Sequence, residues 1–227
     1  MQNQSSSLVF FDLDHTLLPI DSDHAWGNFL VELGVVDKEQ YENANNFFYE
    51  AYKAGTLDIY EFLDFALKPL ASHSRQQLDD WHKEFMRNKI EPNIHQAALD
   101  LVQQHISQGD VCAIVTATNS FVTRPIAERF GIKNLIATEP EENHLHEFTG
   151  KVKGLPNFQH GKVTHVENWL ESLGFNWGNL ENSIFYSDSM NDLPLLEKVK
   201  TPIATNPDPR LESLAKARSW KIINLFS

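Results

Sequence analysis

One cysteine, Cys112, is all that this chain of 227 residues contains. No disulfide can form within it, and a reducing compartment is the expected setting. Cys112 falls inside the apolar run 111–115, where a free thiol packs as a small hydrophobe. Positive charge is also scarce. Nineteen Lys and Arg against 31 Asp and Glu leave a formal net charge of −12, so neither nucleic acid nor an anionic membrane is expected as a main partner. No apolar run approaches the ~20 residues of a membrane span. Residues 1–7 carry neither the basic nor the apolar segment of a secretory signal, which makes the cytoplasm the expected location. Repeats and low-complexity tracts are missing too. What is plentiful is apolar material: 41 % hydrophobic residues, with 15 Phe and 5 Trp. That is a globular composition, and the length suits one large core with a smaller appended domain.

The most telling stretch is Val9-Phe10-Phe11-Asp12-Leu13-Asp14-His15-Thr16-Leu17. An apolar run that ends abruptly in acid reads as a buried parallel strand delivering side chains to its C-terminal rim. Side chains two apart leave an extended chain on the same side, so Asp12 and Asp14 would share one space. Crowded carboxylates repel unless a cation or a shared proton lies between them, and Mg²⁺, a hard cation that takes oxygen ligands, would fit.

Around this stretch the pattern is first helical, then alternating. Helices are expected over 21–33, 37–54, 57–67, 74–90 and 93–108, with Asp37, Thr56 and Ser74 as caps and Gly34, Gly55 and Gly109 as stops. Pro69 should end the third helix. Beyond Gly109, strands over 110–116, 134–138, 183–186, 202–205 and 221–226 alternate with helices over 120–130, 161–173, 192–199 and 209–218. Residues 148–152 resemble part of a small hairpin. Alternation means a parallel, Rossmann-like α/β sheet with right-handed crossovers. The helical block is too long for a crossover, so the expected layout is an α/β core at 1–18 and 109–227 with a helical cap at 19–108.

Open α/β sheets carry their sites outside the carboxyl ends of the strands. There the sequence places Asp12 and Asp14, then Thr116-Ala117-Thr118-Asn119, then Ser187-Asp188-Ser189-Met190-Asn191-Asp192, with Lys162 at a helix start. Singly, each has a commonplace reading: a turn threonine, a solvated lysine, acids at a helix N-terminus. Jointly they make a kit for phosphoryl transfer, with carboxylates for Mg²⁺, cations for phosphate oxygens and a hydroxyl donor.

The set Asp12-Leu13-Asp14-His15-Thr16-Leu17, Thr116, Lys162 and Asp188-Ser189-Met190-Asn191-Asp192 resembles the four motifs of the haloacid dehalogenase (HAD) superfamily. The helical insert resembles a type 1 cap, and the whole is similar to the phosphoserine-phosphatase-like branch. The resemblance implies a phosphatase of small phosphomonoesters. In it Asp12 is the nucleophile that becomes an aspartyl-phosphate, and Asp14 is the acid and base. Thr116 and Lys162 bind phosphoryl oxygens, and Thr118, Asn119 and Asn191 lie near the substrate. It also implies Mg²⁺ held by the Asp12 side chain, the Asp14 carbonyl and Asp188, with Asp192 just behind. A monomer or homodimer is expected.

Two departures from that branch concern the substrate. Thr116-Ala117 stands where Ser-Gly is common, and Ser187-Asp188 where Gly-Asp is common. The branch usually places a glutamate after the first motif to read a substrate amine. Asp21 has the equivalent spacing and Asp23 follows, so an amine-bearing ester such as phosphoserine, histidinol phosphate or phosphoethanolamine is expected. Asp21 could equally be a helix cap. His144 and His146 have metal-like spacing but sit in a polar stretch, and Arg87 or Lys89 could meet an anionic group. A D-x-D glycosyltransferase would leave Thr116, Lys162 and Asp188 without a purpose. A catalytically idle metabolite sensor on this scaffold should have lost one of the acids, and none is missing.

Overall fold

The computed structural model describes residues 7–179 and 182–226. At its centre is β1, Leu8–Phe11, with all four residues buried. Its side chains alternate between two cores: Val9 and Phe11 in one, Leu8 and Phe10 in the other. This is the period-two alternation of a strand covered on both faces. Five more parallel strands complete the sheet: β2 (Val111–Asn119), β3 (Asn134–Thr138), β6 (Ser183–Ser187), β7 (Thr201–Thr205) and β8 (Lys221–Ile223). The order is β3-β2-β1-β6-β7-β8. The chain therefore builds outward from β1 on one side, returns, and builds outward on the other, which makes the β1/β6 crevice the switch point where such sheets bind ligands. Strands β4 (Pro140–Glu142) and β5 (Phe148–Val152) form the separate hairpin.

Between β1 and β2 lie α1 (Ser22–Glu32), α2 (Lys38–Ala54), α3 (Ile59–Ala66), the short α4 (Lys68–Ala71), α5 (Arg75–Phe85) and α6 (Gln96–Ser107). Four starts are capped as short polar side chains cap helices: Asp21 accepts from His24 N at 2.8 Å, Asp37 from Gln40 N at 2.9 Å, Asp58 from Tyr60 N at 3.0 Å, and Ser74 forms a full capping box with Gln77. One expectation fails here. Thr56 does not cap α3. Asp58 does, while the Thr56 hydroxyl bonds back to the Ala51 carbonyl. The third helix ends at Ala66, before Pro69 as expected, and Pro69 sits in the first turn of α4, where it has no helical N–H to lose. The last of these helices also departs from the expected boundary at 108. α6 packs on β2, and its His105 bonds to Asp110 and to the Tyr186 hydroxyl of β6, both at 2.8 Å. It is the helix that returns the chain to the sheet, and it belongs to the α/β layer.

The inserted helices join the core through aromatic packing. Trp26 of α1 lies 5.2 Å from Phe85 and 5.7 Å from His82 of α5, and 5.6 Å from Phe121 of α7 (Ser120–Arg129). Burying such rings contributes about 1.5–3 kcal/mol each. Pro125 stands well inside α7 rather than near its start, which costs one i→i−4 bond. The other face of the sheet is covered by α8 (His160–Ser172), α9 (Leu193–Leu196) and α10 (Pro209–Ala217), through Val166, Leu170, Leu195 and Leu211. Among the described residues no helix is long and apolar enough to cross a membrane.

Candidate active site

Strand β1 hands its last ladder bond to Asp12, whose N–H donates to the Tyr186 carbonyl at 2.9 Å. The chain then turns sharply. His15 adopts φ 58°, a left-handed conformation that costs a non-glycine residue about 1 kcal/mol or more. Asn206 holds the turn by donating to the His15 and Thr16 carbonyls at 3.0 and 3.2 Å. The tight turn keeps Asp12, Asp14 and Thr16 together at the rim.

Around them the structure assembles most of the expected set. Lys162, in the first turn of α8 and almost wholly buried, places Nζ 2.8 Å from Asp12 Oδ1 and 2.7 Å from Asp192 Oδ1. Burial works against its charge, but Asp12 and Asp192 outweigh that and hold the ammonium above its usual range. Ser187 donates to Asp192 Oδ2 at 2.8 Å. Thr16 reaches Asp12 at 3.4 Å and Asp188 at 3.3 Å, both long for hydroxyl bonds. Asp14 is held separately. Its carboxylate accepts from Ser22 N at the start of α1 (2.7 Å) and from the Thr118 hydroxyl (2.8 Å). Thr116 takes a bond from Thr118 N at 3.2 Å, which leaves its own hydroxyl proton free to donate. Asn157 braces this end of β2 and β3 by donating to the Thr116 and Ile136 carbonyls, both at 2.8 Å.

Charge is out of balance here. Four buried carboxylates (Asp12, Asp14, Asp188 and Asp192) face one ammonium. Burial raises Asp12 to about 7 despite Lys162, with Asp192 adding to the rise. Asp14 is likewise raised to about 7 by burial and by Asp21, against the Ser22 and Thr118 bonds. Asp188 is pushed well above the carboxylate range by burial, then by Asp12 and Asp192. An added cation close to Asp12 and Asp188 would oppose the rise in both. Among the described residues no three acid or imidazole side chains are grouped as a ready metal cage. Two carboxylates plus a carbonyl remain as the donor set, and the Asp14 carbonyl receives no hydrogen bond from the described residues.

A cavity lies over this rim. Its floor is Asp12, Asp14, Thr116, Ala117 and Thr118. Its roof comes from the helical insert, with Asp21, Asp23, His24, Phe48, Tyr49 and Tyr52 among the lining residues, and Phe158 closes one side. Asp21 is spent as the α1 cap. Asp23 is half-buried, accepts no hydrogen bond from the described residues, and is held well above the usual range by burial and by Asp21 and Asp14. No Lys or Arg is among the lining residues.

Several expected site residues have other work. Asn119 does not face the cavity: its Oδ1 accepts from Val122 N at 3.1 Å as the α7 cap. Asn191 donates to the Tyr52 carbonyl at 3.0 Å. Asp192 is occupied by Lys162 and Ser187 and stands behind the cavity. Lys89 pairs with Glu32 at 2.7 Å and Arg87 bonds to Asn88 at 3.3 Å, and neither lines the cavity. His146 is exposed in the hairpin turn, 3.5 Å from Glu142. Sequence reasoning missed Ser22, Tyr49, Tyr52, Asn157 and Phe158, none of which sits in a spaced motif.

Residues 9–197 match the family model described as haloacid dehalogenase-like hydrolase. A protein of Neisseria meningitidis serogroup C (strain 8013) named histidinol-phosphatase is 42 % identical over 218 residues, covering 96 % of this chain and 98 % of that one. A crystal structure of a protein of unknown function from Bordetella pertussis Tohama I is 47 % identical, with a TM-score of 0.92 over 98 % of this chain and all of that one. A substrate-bound phosphoserine phosphatase shares the fold at 19 % identity, with a TM-score of 0.68 over 98 % of this chain and 94 % of that one. The chain belongs to the haloacid dehalogenase-like hydrolases and is a phosphatase.

Proposed function

We propose that this phosphatase hydrolyses a small phosphomonoester whose alcohol carries an amine and no carboxylate, with histidinol phosphate the best fit. The observation that carries this reading is Asp23: an unpaired carboxylate on the cavity roof, with four aspartates and no Lys or Arg among the lining residues. A substrate ammonium would satisfy Asp23. The carboxylate of phosphoserine would meet like charge, which costs affinity. Phe48, Tyr49 and Phe62, with His24 stacked on Tyr49 at 4.6 Å, give the roof a flat apolar face suited to an imidazole ring. The Neisseria relative's name points the same way.

In this reading Asp12 attacks phosphorus. An Oδ–P bond forms, the ester P–O bond breaks, and the carboxyl of Asp14 gives its proton to the leaving oxygen. Water then attacks phosphorus, the Asp12 Oδ–P bond breaks to release inorganic phosphate and the free carboxylate, and Asp14 takes the proton from the water. Lys162 and the Thr116 hydroxyl stabilise the phosphoryl oxygens. Mg²⁺ would be held by the carboxylates of Asp12 and Asp188 and the Asp14 carbonyl, neutralising charge on the phosphoryl oxygens. Asp192 would hold Lys162 in place from behind.

Phosphate release from histidinol phosphate, phosphoethanolamine, phosphoserine and glycerol 3-phosphate, by wild type and Asp23→Ala, tests this. Wild type should favour the first two, and Asp23→Ala should lose that preference. Equal rates on amino and non-amino phosphates in both proteins would sink the amine reading.

A further inference from the structure

Tyr52 is left without a task by the reaction just described. It lies near the end of α2 and shares the cavity wall with Asp12 and Asp14. Its phenol makes no hydrogen bond to the described residues. The ring leans on Phe158, 6.2 Å between centroids, in the segment that leads into α8 and Lys162. Helix ends leave their last carbonyls without helical partners, and here the core takes three in succession. Asn191 donates to the Tyr52 carbonyl at 3.0 Å, and Arg210 of α10 donates to the carbonyls of Lys53 at 2.9 Å and Ala54 at 3.1 Å. Gly55 then ends the helix at φ 76°, where an added Cβ would stand 3.1 Å from the Arg210 guanidinium. Asn191 belongs to the loop that carries Asp188 and Asp192. The loop that presents the acids therefore also fixes the height of Tyr52 above them.

Burial, and after it the charges of Asp12, Asp188 and Asp192, hold the phenol well above its ordinary pKa. It remains a neutral O–H donor across the working range, with no acceptor among the described residues. A dianionic phosphoryl group entering between roof and floor supplies the missing acceptor.

We propose that Tyr52 is a substrate-contacting catalytic residue whose phenol donates a hydrogen bond to a phosphoryl oxygen from the cap side, opposite Thr116 and Lys162. The donor is in place only while the end of α2 is docked on Asn191 and Arg210. Cap closure is thereby read at the phosphorus itself, whatever alcohol the ester carries.

Kinetics of Tyr52→Phe on p-nitrophenyl phosphate and on an amine-bearing phosphomonoester, with inhibition by inorganic phosphate, test this. Loss of one donor to a charged acceptor should lower kcat/KM by about 10–100-fold, equally on both substrates, and weaken inhibition by phosphate. p-Nitrophenyl phosphate has no amine, so this result stands or falls apart from the reading of Asp23. Arg210→Met keeps the phenol but frees the helix end. It should cause a smaller loss, again equal on both substrates, and should shrink the added cost of Tyr52→Phe in the double variant. Unchanged kcat/KM and phosphate inhibition in Tyr52→Phe overturn the proposal, as does a loss confined to the amine-bearing substrate.

Discussion

The floor and the roof of the cavity are built on opposite principles. On the floor nearly every polar atom is already engaged: Lys162 lies between Asp12 and Asp192, Ser187 bonds to Asp192, and Thr118 and Ser22 N hold Asp14. On the roof, Asp23 and the Tyr52 phenol have no partners among the described residues. A pre-assembled floor suits chemistry that is the same for every ester, because groups fixed in advance need no reorganisation during the reaction. An unsatisfied roof suits recognition, because the desolvation cost of leaving those groups bare is recovered only when a ligand supplies the match.

That contrast breaks first if the floor is not the machine. Asp12→Asn keeps the shape of the side chain and removes its nucleophilic charge. Turnover should fall by about 10⁴-fold or more on any phosphomonoester, with an unchanged circular dichroism spectrum. Substantial activity in that variant would refute the aspartyl-phosphate route. Lys162→Met comes next. The floor's ammonium disappears while its volume stays, and Asp12 and Asp192 are left buried without a cation among the described residues. Removing one partner of a buried ion pair costs about 3–5 kcal/mol, to be read as a lower urea midpoint alongside lost activity. A midpoint equal to wild type would mean that the floor is not held by charge.

How much of this contrast the sequence disclosed follows the same division. The floor was legible because its residues lie at or near strand ends in fixed spacings: Asp12 and Asp14 after Val9-Phe10-Phe11, Thr116 toward the end of β2, Asp188 after β6. Strand and rim are local properties. The departure at the fourth motif also acquires a physical use. The Ser187 hydroxyl restrains Asp192. The roof was legible only at Asp21 and Asp23, and the sequence could not divide their labour. Capping consumes Asp21 because its position just before α1 aims it at His24 N. Asp23, two residues on, is carried round the helix toward the cavity. Tyr52 and Phe158 carried no signal. An aromatic residue near a helix end reads as packing, and only the fold brings residue 52 over residue 12. Thr56 misled for a local reason: Asp58 also precedes a helical run, and its carboxylate, accepting from both Tyr60 N and Glu61 N, is the better cap.

The roof can be probed without touching the floor. Phosphoserine and phosphoethanolamine differ by one carboxylate, so the ratio of their kcat/KM values reports on the charge of the roof alone. Wild type should prefer phosphoethanolamine, and Asp23→Asn should narrow the ratio by about 10-fold, the worth of one close like-charge contact. A ratio that does not move would place the selection against carboxylate elsewhere.

The smallest effect concerns the seam between the two regions. His82 of α5 donates from Nε2 to the Val122 carbonyl of α7 at 2.9 Å, and its ring stacks on Trp26. Burial lowers its pKa below 6.5, with the Val122 bond opposing. The unfolded chain takes up this proton near 6.5, whereas the folded chain does so only at lower pH. Between those two values the unfolded state holds more protons, so stability falls as pH falls, by at most about 1.4 kcal/mol per pH unit from this one group. Above 6.5 the contribution is flat. His82→Gln removes the titration while keeping a donor, so its unfolding free energy between pH 6.5 and 5 should decline less steeply than that of wild type. The contributions of the other histidines and carboxylates cancel in the comparison. Parallel curves would mean that His82 is protonated as easily in the fold as out of it, and that the seam is wetter than its packing against Trp26, Phe85 and Phe121 implies.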